Sequence, residues 1–245
     1  MIELTEIEAA RGRIAGSVVR TPLVRLHVDA PAEIYLKLEN LQPVNSFKIR
    51  GASMTALVAP ESARAKGLVT ASAGNMAQGI AWTARELGVP ATIVVPDHAP
   101  EAKLAAIERL GSRVLKIPYD AWWDVIVTSH LDGLEGLFVH PVQDPAVMAG
   151  NGTIGLEILE DLPDPDAVVI PYGGGGLTTG IASAIKALRP GTRIVTAEPD
   201  TAAAMAAAAT SATGMARASS TSGETSGHML SSTRRLPEPS TNEGR

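Results

Sequence analysis

From residue 33 onward the apolar residues follow two alternating rhythms. Short β-rich runs read as strands: EIYLKLE (33–39), GLVTAS (67–72), ATIVVP (91–96), SRVLKIP (112–118), GLFVH (136–140), DAVVIPY (166–172) and TRIVTAE (192–198). Between them lie stretches with helical spacing. SFKIRGASMTALVA starts at Ser46, with Asn45 or Ser46 able to cap it. Residues 75–88 stop at Gly88 and residues 100–111 end in glycine; 120–135, 153–162 and 176–189 complete the set. Strand and helix in alternation predict an α/β fold with mostly parallel sheets.

The rhythm stops near residue 200. From Thr201 to the end there is no Val, Ile, Phe, Tyr or Trp, only an Ala/Ser/Thr-rich text. Such a segment buries too little apolar surface to offset the entropy of ordering it. Residues 206–245 are therefore expected to be a low-complexity, disordered tail, either a plain flexible extension or a replacement for a longer fold's C-terminal part.

Composition and charge narrow the function. The chain has 245 residues, 45% of them hydrophobic and 19% charged, which suits a globular protein of one large or two smaller domains. A formal net charge of -5 implies no basic face, so neither nucleic acid nor an anionic membrane is an expected partner. The absence of cysteine removes disulfides, thiol catalysis and thiolate metal sites. The acidic N-terminal residues and the lack of a long apolar run lead to the expectation of a cytoplasmic protein.

Three stretches can carry chemistry. In YGGGGLTTG (172–180) a strand runs through four glycines into a helix. Glycine lets a backbone approach a ligand closely with successive N–H groups, and the helix adds its positive end, so this is a phosphate cradle. It is neither a Walker loop nor a dinucleotide fingerprint. Gly150, Gly152 and Gly155 do satisfy GxGxxG, but no strand precedes them, and they read as a chance match or a packing turn. In TASAGNMAQG (70–79), Ser72, the Gly74 N–H and the Asn75 side chain make a polar nest at a helix start, suited to a carboxylate or phenolate. The third is Lys48, between apolar Phe47 and Ile49 in the first turn of a helix. The helix dipole there disfavours an ammonium, and a neutral amine is what imine chemistry with an aldehyde requires. No GxSxG or HExxH occurs, and the five histidines have no ligand spacing and read as structural or exposed. Trp122 and Trp123 read as core or interface packing.

A lysine for an aldehyde, a nest for an acidic group and a glycine cradle for a phosphate together describe pyridoxal 5′-phosphate. In order and content, LKLENLQPVNSFKIRGA (36–52), ASAGNMAQG (71–79), PYGGGGL (171–177) and AEP (197–199) resemble the fold-type II pyridoxal-phosphate enzymes, on their threonine/serine dehydratase branch. The resemblance runs from about residue 15 to about residue 205. It implies two α/β domains, 1–52 with 142–205 as the larger and 53–141 as the smaller, in a homodimer. It further implies that Lys48 binds the cofactor covalently and removes the substrate's Cα proton, and that Phe47 packs beside the cofactor. Asn75 would bond the ring hydroxyl. Ser72, Gly74, Asn75 and the backbone at Met76 would take the substrate carboxylate. Gly173, Gly174, Gly175, Gly176 and Leu177 would hold the phosphate. The activity implied is β-elimination of water from L-threonine or L-serine to a 2-oxo acid and ammonia.

Several departures accompany the resemblance. Met76 stands where the family usually has histidine. Ala73 stands where racemase relatives place a second acid/base serine, which favours elimination over racemisation. Asn151 replaces a common glutamine. Glu198 matches a metal-ligand position of some relatives, whose companions would lie in the region replaced by the tail. A non-catalytic relative that only binds cofactor or amino acid, and a β-replacement or racemase relative, are the alternatives. An uncovered sheet edge with exposed apolar residues is a further expectation.

Overall fold

In a computed structural model the described residues are 1–203 together with 205, 207 and 208. Chain contacts gather Met1–Ala202 into one compact unit, and a second begins at Ala203. In the second, Met205, Ala207 and Ala208 are helical. The expected tail at 206–245 otherwise lies outside the described residues.

The first unit alternates as the pattern predicts: α1 (Leu4–Ile14), β1 (Leu23–Leu26), β2 (Ile34–Lys37), α2 (Lys48–Val58), α3 (Glu61–Arg64), β3 (Leu68–Ala71), α4 (Asn75–Leu87), β4 (Ala91–Pro96), α5 (Glu101–Arg109), β5 (Arg113–Ile117), α6 (Tyr119–Thr128), β6 (Leu137–Phe138), α7 (Pro145–Asp161), β7 (Ala167–Pro171), α8 (Gly176–Leu188) and β8 (Arg193–Ala197). Strands β5-β4-β3-β6 form one parallel sheet and β7-β8 a parallel pair, whereas β1-β2 is antiparallel. The α/β class with mostly parallel sheets is thus what the chain adopts. Among the described residues no helix is long and apolar enough to cross a membrane.

The four-stranded sheet is well covered. Every residue of β3 is buried, and so are five of the six residues of β4. Leu68, Ile93 and Val95 pack with Met76, Ile80 and Ala84 of α4 and with Leu104 and Ile107 of α5. The other strands are not covered in this way. Val169 of β7 is 64% exposed and Val195 of β8 42%. On β1 and β2 the cross-strand pairs Val24–Leu36 and Leu26–Ile34 are exposed as well. The expected exposed apolar sheet surface is present.

Some boundaries differ from expectation. Helix α7 begins at Pro145, eight residues before Thr153, because Asp144 caps it by accepting a hydrogen bond from the Ala146 N–H at 2.8 Å and proline suits a first helical position. Helix α6 stops at Thr128 rather than 135, since Ser129 turns left-handed at φ 56°. Neither Asn45 nor Ser46 caps α2. Asn45 adopts φ 55°, Phe47 occupies the cap position without a side-chain bond, and the Ser46 hydroxyl is buried without a partner. Helix α1, which the pattern left unread, packs Ile7 against Leu156 and Ala184.

The GxGxxG match is no turn. Its glycines lie within α7, where they let neighbours approach at backbone distance. A Cβ at Gly150 would stand 2.5 Å from the Arg50 carbonyl of α2, and one at Gly155 2.9 Å from Ala184 Cβ of α8. At Gly152 it would lie 3.0 Å from the Gly180 carbonyl, and at Gly180 itself 2.2 Å from the Met148 carbonyl. Helix α7 is therefore a spine gripped by α2 on one side and α8 on another, which fixes the starts of both helices.

Candidate active site

Lys48 opens α2. Its Nζ donates to the Pro141 carbonyl at 2.9 Å and lies 5.3 Å from the centre of the Phe47 ring. Burial holds its pKa below the ordinary lysine value, which eases formation of the neutral amine. Desolvation, rather than the helix dipole expected from its first-turn position, is the cause. Phe47 and Leu177 pack against one cluster, Ile154, Ile158, Ile170, Ile181 and Ile185, so the lysine segment and the end of the glycine loop share a core.

The glycine loop follows β7 directly. The Tyr172 N–H donates to the Ala197 carbonyl of β8 at 2.8 Å, which fixes where the loop leaves the sheet. Gly175 takes φ +90° as the cap of α8, a conformation that a side chain resists. The first-turn N–H groups of α8, at Gly176, Leu177 and Thr178, have no carbonyl one turn earlier to bond. Thr178 Oγ1 and Asn151 Oδ1 are buried without hydrogen-bond partners, while Asn151 Nδ2 donates to the Gly176 carbonyl at 3.4 Å. Gly173 has open space where a side chain would be.

The two stretches meet through residues 141 and 142. Pro141 accepts from Lys48, and the next residue, Val142, fills the space that side chains at Gly174 and Gly176 would need. A Cβ at those glycines would come within 2.6 Å of Val142 Cγ2 and 2.8 Å of its carbonyl oxygen. Helix α4 reaches the same place from the other direction. Gly79 faces the Lys48 backbone, and a Cβ there would lie 3.2 Å from the Lys48 carbonyl carbon. One turn earlier stands the nest. Ser72 Oγ accepts the Gly74 N–H at 3.2 Å, Asn75 is exposed and Met76 is buried in the core. The Gly74 N–H is therefore engaged locally rather than free, and Met76 can offer a ligand its backbone alone.

A family model described as "Pyridoxal-phosphate dependent enzyme" matches residues 14–237. The chain belongs to this family. An L-threonine ammonia-lyase of Thermotoga maritima is 45% identical over 201 residues, which make up 80% of this chain and 50% of the relative. A crystal structure of serine racemase from Dictyostelium discoideum superposes with TM-score 0.78 at 33% identity, covering 86% of this chain and 70% of that one. The processed form of threonine deaminase isoform 2 from Solanum lycopersicum gives TM-score 0.78 at 36% identity, covering 85% and 62%. The chain spans about half the length of the curated relatives it matches. The family's cofactor is pyridoxal 5′-phosphate.

Within this family member, two features escaped sequence reading. One is a buried ionic cluster around Arg50 of α2. Arg50, fully buried, donates to Glu39 at 2.8 Å and to Glu157 at 2.7 and 2.9 Å, and Lys37 pairs with Glu157 at 2.5 Å. Burial works against the Arg50 charge, but the hydrogen bonds to both carboxylates outweigh it and raise its pKa. Residues 37, 39, 50 and 157 share no sequence spacing that announces such a contact. The other is His140, half-buried beside the site, whose Nδ1 accepts two backbone N–H groups. The Trp doublet divides: the Trp122 indole donates to the Val94 carbonyl at 3.1 Å, while Trp123 is exposed. Glu198 is half-buried just beyond β8, and among the described residues no three His, Cys, Asp or Glu side chains gather as metal ligands.

Proposed function

We propose that this chain is a pyridoxal-phosphate-dependent ammonia-lyase of the threonine/serine dehydratase kind, removing the β-hydroxyl of L-threonine or L-serine to give a 2-oxo acid and ammonia. The observation that carries this reading is the desolvated Lys48 amine, tied by Pro141 and Val142 to a glycine loop at a helix N-terminus. The 45% identity to a protein named L-threonine ammonia-lyase supports the choice of reaction.

The residues present fit the cofactor. Lys48 would hold its aldehyde carbon; the amides of Gly173–Leu177 would bind its phosphate, close to the unpartnered Thr178 hydroxyl; and Asn75 would meet its ring hydroxyl. When bound, the cofactor supplies an electron sink for the charge left at Cα. The chain supplies the rest. Lys48 in its neutral form takes the Cα proton, and burial makes that form easier to reach than for a free lysine. Ser72 and the N-terminal amides of α4 hold the substrate carboxylate and so fix which Cα bond faces the lysine. Ala73 offers no acid/base group on its turn, which argues for elimination rather than racemisation. We further read 1–52 with 142–205 as the part carrying lysine and phosphate loop, 53–141 as the part carrying the substrate loop, and the assembly as a cytoplasmic homodimer.

The test is reductive trapping. The purified chain is incubated with pyridoxal phosphate, reduced with borohydride, digested and examined by mass spectrometry. The expected result is one phosphopyridoxyl group, on Lys48, absent from Lys48→Ala, together with 2-oxo acid release from threonine or serine in the unmodified chain. Label scattered over surface lysines would defeat the assignment. Label on Lys48 without turnover would leave a binding protein.

A further inference from the structure

His140 has no part in the chemistry above, yet the site converges on the turn it holds. The residue before it is pinned to the covered sheet: the Val139 N–H donates to the Val69 carbonyl at 2.7 Å and the Thr70 hydroxyl to the Val139 carbonyl at 2.9 Å. The imidazole then folds back over the following residues, and Nδ1 accepts from the Val142 N–H at 3.1 Å and the Gln143 N–H at 2.9 Å. A ring nitrogen that accepts twice carries no proton, so the proton sits on Nε2. Between the ends of this turn lie the Pro141 carbonyl, which accepts from Lys48, and Val142, which fills the space against Gly174 and Gly176. Immediately after it Asp144 caps α7 and accepts from the Thr55 hydroxyl of α2 at 3.2 Å.

We propose that His140 is a positioning residue for the cofactor site: its neutral Nδ1 sets the turn that offers the Pro141 carbonyl to Lys48 and seats Val142 against the glycine loop. The proposal rests on the reading of Lys48 as the cofactor lysine. It adds a proton-sensitive element that touches no reacting atom. Protonation of Nδ1 removes the acceptor and confronts two N–H groups with a third donor, so the turn must open. Four influences act on the ring. Burial, the largest, disfavours the cation, as does the neighbouring Lys48; the Ile126 backbone of α6 and the Asp144 carboxylate favour it. The net effect holds the His140 pKa below the ordinary value. The sign follows. The closed turn is fully present above about pH 6.5, the usual histidine value, and is lost as pH falls through the lowered one.

The experiment uses the full chain and two variants, H140L and H140N. Leucine removes the acceptor, whereas an asparagine Oδ1 reaches N–H groups two and three residues ahead and does not titrate. The readouts are hydrogen exchange of peptides spanning 139–146, and the yield of phosphopyridoxyl-Lys48 after borohydride across pH 5 to 8. With two hydrogen bonds lost, H140L is expected to trap roughly tenfold less at limiting cofactor and to exchange faster at Val142 and Gln143. H140N is expected within about threefold of the native chain near neutrality, with a weaker acid fall, the remainder being protonation of Lys48. Native-like trapping and exchange in H140L overturn the proposal. So does an equal loss in H140N and H140L when both are folded. Should H140L not fold, an H140N profile that falls with acid as steeply as the native one overturns it. No label on native Lys48 would instead sink the cofactor reading, and the exchange of Val142 and Gln143 would still decide what His140 holds.

Discussion

The four-stranded sheet and the two strand pairs are built from similar residues yet held in different ways. Strands β3 and β4 are closed in by α4, α5 and α6, and their apolar side chains are spent on the core. Strands β7, β8, β1 and β2 leave valines, leucines and an isoleucine in water. What fastens β1-β2 is charge: Lys37 at the end of β2 reaches Glu157 on α7, and Glu39 reaches Arg50 on α2. What fastens β7 is its inward face, where Ile170 and Val168 pack against Ile154 and Ile158 of α7 and Ile181 and Ile185 of α8, two helices that themselves meet along a seam of small residues. One half of the scaffold buries its strands in apolar side chains, and the other leaves strand faces bare and adds ion pairs and close backbone approach between helices to its apolar core. The Ser72–Asn75 turn sits on the first half. Lys48 and the glycine loop sit on the second.

Five substitutions test that contrast. Glu157→Ala should cost most, about 3–5 kcal/mol, because it leaves buried Lys37 without its carboxylate and Arg50 with Glu39 alone; urea unfolding measures it, and a loss below ~1 kcal/mol would mean that water already reaches the cluster. Ile93→Ala in the covered sheet should cost about 2–5 kcal/mol as a cavity opens. Gly180→Ala should follow at about 1–3 kcal/mol, since its Cβ has no room against the Met148 carbonyl. Gly12→Ala, on a stretch of α1 with open space, should instead stabilise by roughly 0.5–1 kcal/mol, so the pair separates crowding from helix propensity. Smallest of all, Val169→Thr should stay within about 0.5 kcal/mol while lowering self-association in sedimentation velocity. If Val169→Thr proved as damaging as Ile93→Ala, the bare face would be covered in solution and the contrast would be void.

Legibility followed the same division. ATIVVP was readable to the residue, because a buried parallel strand leaves a continuous apolar run, and Gly88 stops α4 in the left-handed conformation as its position suggested. Lys48 and the tetraglycine stood out through local context. The first two turns of α7 did not, although 153–162 read as helix, because glycines look like breakers until their crowded partners are known. The role of His140 was hidden for a simpler reason: its partners are backbone amides, which every sequence has. Arg50 was hidden because ion pairs across 107 residues leave no local trace.

The seam along α7 has a consequence for how such a protein can change over generations. Glycine has no smaller residue to retreat to, so every mutation at Gly150, Gly152, Gly155 or Gly180 is an enlargement into occupied space. A leucine core can drift through methionine and isoleucine, trading volume among neighbours. This seam has no such neutral neighbours. Substitution on the bare strand faces or in the loops meets no such barrier, so the spacing of α2 and α8 along α7 is the dimension of this scaffold least open to change.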